Sequence, residues 1–75
     1  MRVKLKLNVL QEWLVRECKT NSEFSAASGI HPVRMSKILN GRAEPGIRNR
    51  AGILKGTGLP FDSLFVMEST DEVKG

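Results

Sequence analysis

The chain has 75 residues, 40% of them hydrophobic and 27% charged, with a formal net charge of +4. That length builds one small core and leaves no room for a second. A single cysteine, Cys18, excludes an internal disulfide and a cysteine-rich zinc site, and no apolar run reaches the roughly 18–20 residues that span a bilayer.

The opening segment alternates: Val3, Leu5 and Leu7 fall between Arg2, Lys4 and Lys6. Charges at this spacing leave no signal-peptide core, so the reading is a reduced, cytoplasmic protein. Period two predicts a strand with one buried face. A strand needs a partner, and Leu64-Phe65-Val66-Met67 is the other good candidate. The prediction is an antiparallel two-stranded ribbon joining the termini; a flexible basic arm is the competing reading.

Asn8 then offers a cap for the first helix, with Gln11 three residues on reaching back to it. Leu10, Trp13, Leu14 and Cys18 recur at helical spacing, while Glu12, Arg16 and Lys19 take the other side. Trp13 reads as core or core edge. Thr20-Asn21-Ser22-Glu23 fits a second capping box and starts the second helix. Phe24 and Ala27, with Ala26 beside them, supply its apolar face. Free N–H groups at such a helix start, next to short polar side chains, also suit a phosphate.

Ser28-Gly29-Ile30-His31-Pro32 is a tight turn. Gly29 closes one helix in a left-handed conformation, and Pro32 opens the next at the position where a missing N–H is harmless. His31 reads as the cap of that third helix, with a phosphate contact as its alternative role. The third helix runs from Pro32 to Asn40. Ile30 and then Met35, Ile38 and Leu39 face inward, whereas Val33, Arg34, Ser36 and Lys37 are left outside. Asn40-Gly41 ends the helix, and Pro45-Gly46 marks a loop. The fourth helix covers Ile47 to Thr57, with Ile47, Ala51, Ile53 and Leu54 as its apolar positions. Gly52 and Gly56 each weaken it by up to about 1 kcal/mol relative to alanine, so packing must hold it, and small residues there admit a close neighbour. Gly58 stops it, and a last helical turn ends at Leu64. Residues 1–68 form the domain, and 69–75 read as a flexible acidic tail.

Charge is unevenly placed. Between Ile30 and Lys55 lie Arg34, Lys37, Arg42, Arg48, Arg50 and Lys55, against Glu44 alone, while the end of the chain is acidic. A basic middle of this kind fits a polyanion or a solvated surface. One histidine, one cysteine and no tyrosine give no catalytic constellation, so no enzyme, metal or cofactor is expected.

Several pieces in register then resemble one family. Glu23-Phe24-Ser25, Gly29-Ile30-His31 in the turn, Met35 to Arg42 and the loop residue Pro45 all fall in place. So does the closing Gly58-Leu59-Pro60-Phe61-Asp62-Ser63-Leu64-Phe65. Together they are similar to the Cro/cI-type (XRE) helix-turn-helix regulators, over nearly all of residues 8–65. The chain departs from that pattern at Cys18, where glycine is usual, at Lys19, and at Arg50, Gly52 and Thr57.

The resemblance implies a mainly all-α, five-helix lambda-repressor-like domain that binds double-stranded DNA, commonly as a homodimer on a palindromic operator. It implies a bacterial or phage transcriptional regulator, a repressor in the usual case. Base-reading positions fall on Pro32, Val33, Ser36 and Lys37, and backbone-contacting positions on Thr20, Asn21, Arg34, Asn40 and Arg42. A lysine donates well to guanine O6 and N7, and valine packs on a thymine methyl, whereas Pro32 has no donor to offer. The alternative function is a protein-binding antirepressor or antitoxin on the same scaffold, its partner surface being the terminal ribbon or the glycine-rich fourth helix.

Overall fold

The computed structural model describes residues 2–68; the expected acidic tail, 69–75, lies outside them. In chain order come β1 (Arg2–Leu5), α1 (Leu7–Arg16), α2 (Asn21–Ser28), α3 (Pro32–Leu39), α4 (Ile47–Thr57), α5 (Phe61–Leu64) and β2 (Phe65–Glu68). The protein is mainly helical, with a short two-stranded antiparallel ribbon. None of the described helices is long and apolar enough to cross a membrane.

The ribbon forms as the alternation predicts. Arg2 faces Glu68, Val3 faces Met67, Lys4 faces Val66 and Leu5 faces Phe65. Lys6 is tied down as well, since its Nζ donates to the Asp62 carbonyl at 2.9 Å. The segment is therefore part of the fold and not a free arm. Its boundaries move slightly: Leu7 opens α1 and Leu64 closes α5.

Helix ends follow local chemistry. The Thr20 hydroxyl accepts from the Glu23 N–H while the Glu23 carboxylate accepts from the Thr20 N–H, a complete capping box. His31 Nδ1 accepts from the Val33 N–H at 3.1 Å, so His31 caps α3 with Pro32 in its first position. Gly29 takes φ 69°, and the Ile30 N–H then reaches back to the Ser25 carbonyl. The same arrangement closes α1, but there the left-handed residue is Cys18 at φ 54°. Its neighbour Lys19 donates to the Leu14 carbonyl. A side chain in that conformation costs on the order of 1 kcal/mol.

The expected cap of α1 is different. Lys6 occupies the cap position without a side-chain capping bond to the helix, and Asn8 is exposed. Gln11 instead donates through Nε2 to the Leu39 carbonyl at 3.0 Å, joining α1 to the end of α3. A tertiary acceptor with no other partner outcompetes the local one.

The core gathers Leu10 and Leu14 of α1, Phe24 of α2, Ile30 of the turn, and Met35, Ile38 and Leu39 of α3. Ile53, Leu64 and Phe65 complete it. Trp13 sits at its edge, half-buried, its ring 5.6 Å from that of Phe24. Two helices face differently from the sequence pattern. In α2, Ala26 and Ala27 are exposed, and Ser25 and Ser28 are buried. In α4, Ala51 is exposed and Ile47 is 77% exposed, while Ile53 is buried.

Shape explains both inversions. A Cβ on Gly52 would overlap the Ser28 carbonyl oxygen, and one on Gly56 would lie 2.7 Å from Ser28 Oγ and 3.0 Å from Phe24 Cε1. The two helices pack with almost nothing between them, so small residues fill the seam even where they are polar. The hydroxyls of Ser25 and Ser28 are both buried without a hydrogen-bond partner among the described residues.

Candidate nucleic-acid interface

The α2–turn–α3 unit is fixed from below. Phe24, Ile30, Met35, Ile38 and Leu39 anchor it in the core, the left-handed Gly29 sets the turn, and the His31 cap starts α3. With three buried positions on one side, the remaining side chains of α3 have only solvent to face. Pro32, Val33, Arg34, Ser36 and Lys37 are all exposed, Val33 to 60%. Asn40, the residue that ends the helix at Leu39, is exposed too, as is Arg42 beyond it. Asn40 Nδ2 lies 3.5 Å from Ser36 Oγ, one turn back on the same outer face.

Thr20 and Asn21 stand at the start of α2, both exposed. Thr20 spends its hydroxyl oxygen and its N–H on the capping box. The N–H groups of Asn21 and Ser22, in the first turn, have no carbonyl behind them to pair with. Asn21 and Asn40 border one depression of about 310 Å³, together with Gln11, Leu14, Val15, Lys19 and Leu39. The structure therefore brings the start of α2 and the end of α3 to the same side, along with two residues the pattern did not single out. Lys19 is a cation next to the α2 start, and that adjacency was the available signal. Gln11 gave none, since its role depends on where α3 ends.

The charges on this side are available. Among the described residues the one ion pair is Arg16 with Glu12, one turn apart on α1. Arg34, Lys37 and Arg42 pair with no carboxylate among the described residues. Arg50 is engaged by a carbonyl: half-buried, it donates through Nη1 to the Pro45 carbonyl at 3.1 Å and holds the loop before α4. Glu44, the lone acid of the basic stretch, points at the ribbon, where its Oε1 accepts from the Leu5 N–H at 3.3 Å. Removing Glu44 from the basic face leaves that face more uniformly positive than the sequence order suggests.

The capping box also acts on the charge of Glu23. The Thr20 N–H chiefly, then the Thr20 hydroxyl and the Lys19 charge, hold its carboxyl below the usual glutamate range.

What this surface can do chemically follows from its parts. An eight-residue helix, about 12 Å long, presents one short apolar side chain, a hydroxyl and two cations. A second helix start and two amides flank it. Among the described residues no group of three or more histidine, cysteine or carboxylate side chains comes together as a metal site would require. Compared with known protein families, curated proteins and solved structures, the chain matches none of them.

Proposed function

We propose that this protein is a sequence-specific DNA-binding transcriptional regulator of bacterial or phage type, acting as a repressor in the cytoplasm. The observation that supports it best is the outward side of α3: Val33, Arg34, Ser36 and Lys37 stand exposed, none of its cations is paired within the described chain, and the α2 start lies beside it. In this reading α2 and α3 act as a helix-turn-helix, α3 entering the major groove, which is wide enough for one helix. Lys37 donates to a guanine edge, Val33 packs on a thymine methyl, and Ser36 bonds to either partner. Pro32 contributes shape alone. Thr20, Asn21, Arg34, Asn40 and Arg42 hold the phosphates on either side, and Lys19 joins them.

For the protein-binding reading, the glycine side of α4 is packed against α2, while Ile47 and Ala51 of the same helix stand exposed. The ribbon remains exposed and is compatible with either function. A gel shift with bulk genomic DNA at low and then higher salt separates the two. DNA binding predicts a complex whose log K falls by about 0.9 per neutralised phosphate against log salt. No complex at low salt would remove the proposal. Selection of bound oligonucleotides then gives the operator, and two half-sites about 34 Å apart would match a symmetric dimer.

A further inference from the structure

The two ends of α3 are held by different means. At its start the hold is local: Gly29 turns the chain, His31 caps the helix and Ile30 enters the core. At its end the backbone folds back on itself. Gly41 takes φ 75°, its N–H donates to the Ile38 carbonyl at 3.1 Å, and the Arg42 N–H donates to the Lys37 carbonyl at 2.9 Å. The Asn40 N–H takes the Ser36 carbonyl. A helix leaves its last four carbonyls without partners inside it, and this turn satisfies three of them.

The fourth is the carbonyl of Leu39, and its donor comes from α1: Gln11 Nε2, at 3.0 Å. Among the described residues this is the one hydrogen bond that reaches α3 from another helix or strand. Lys37 and Arg42, a base reader and a phosphate contact in the reading above, are thus joined by a backbone bond within the turn that Gln11 ties down. Val33 is fixed without α1, since its N–H goes to His31.

We propose that Gln11 is a positioning residue for DNA discrimination. Holding the Leu39 carbonyl to α1 sets the angle at which the last turn of α3 meets the duplex. It thereby decides where Lys37 and Arg42 stand, and leaves the Val33 end alone. The residue type suits the task, because a neutral amide donates to a carbonyl. A glutamate at this position would set one acceptor against another, and a methionine would fill the same length without a donor.

The inference rests on the DNA-binding reading, and one arm of its test needs no DNA. In Gln11→Met, amide hydrogen exchange should be about threefold to tenfold faster at Gly41 and Arg42 than in the wild type. It should be unchanged at Met35, whose N–H bonds to the His31 carbonyl at the other end of the helix. The second arm uses the oligonucleotide that selection with the wild type recovers, carrying single base-pair changes. At the pair whose preference Lys37→Ala relaxes, Gln11→Met should lower discrimination by about threefold to tenfold. At the pair whose preference Val33→Ala relaxes, discrimination should stay within about twofold of the wild type. An even loss at both pairs, or no loss at either, would overturn the proposal, because a role in stability alone does not tell them apart. So would exchange at Gly41 and Arg42 that Gln11→Met leaves unaltered, or that rises equally at Met35. A wild-type chain that binds no DNA would end the regulator reading, and the role in discrimination with it, whatever the exchange arm shows.

Discussion

The seam between α2 and α4 and the outer side of α3 are opposite kinds of surface, although both are built from small or polar residues. In the seam, Gly52, Gly56 and Ser28 leave no space for a single added carbon. On α3, Val33, Ser36 and Lys37 touch so little of the protein that almost any side chain would fit there. One region is constrained by what the chain itself must do to fold. The other is free of that constraint.

The largest effect should come from filling the seam. Gly52→Val places branched carbons against the Ser28 carbonyl and should destabilise the domain by about 3 kcal/mol or more. That is a drop of roughly 12 °C or more in Tm for a domain of this size, read by thermal circular dichroism. If Gly52→Val melts like the wild type, the seam is looser than described and the contrast fails.

The outer side of α3 should behave in the reverse way. Lys37→Ala and Arg42→Ala should each leave stability within about 0.5 kcal/mol, because neither side chain is buried or paired. Their effect should be on DNA. Arg42→Ala should weaken all sequences alike and lower the salt slope by about 0.9. Lys37→Ala should relax preference at one base pair by about 1–3 kcal/mol. Equal losses on operator and random DNA from both variants would contradict the roles assigned to them.

Smaller changes probe the ends of α2 and α1. Thr20→Ala removes the capping box and should cost about 1 kcal/mol. The same box holds the Glu23 carboxyl below its ordinary value. A depressed carboxyl adds stability above its unfolded value, and that stability is lost as pH falls through the folded one. Acid unfolding should therefore include a Glu23 contribution that Glu23→Gln lacks. Cys18→Gly should stabilise by up to about 1 kcal/mol, since glycine accepts φ 54° without a Cβ clash. Denaturant midpoints resolve both.

Much of this was legible beforehand where the deciding interactions are local. The Thr20–Glu23 box, the left-handed Gly29, the His31 cap and Pro32 at a helix start each involve residues within five positions of one another. The ribbon was readable from its period, and α3 from its clear division into buried Met35, Ile38 and Leu39 and an exposed remainder. The exposure of the positions expected for the interface was readable for the same reason. Once one side of a short amphipathic helix is known to be inside, the other side is known to be out.

What the chain's order could not settle was the orientation of helices without a strong apolar side. In α2 and α4, the alanines and Ile47 turn outward while serines and glycines turn in, because the fit between two backbones distant in sequence outweighs the hydrophobicity of single residues. The same distance hid the partners of Gln11 and Glu44, each of which bonds to a backbone group placed only by tertiary structure. Sequence alone thus determined where most elements start, stop and alternate, the start of α1 excepted, since those bonds close within a turn. The tertiary structure decided which surfaces meet, since close packing is a property of shapes and not of any one residue's preference.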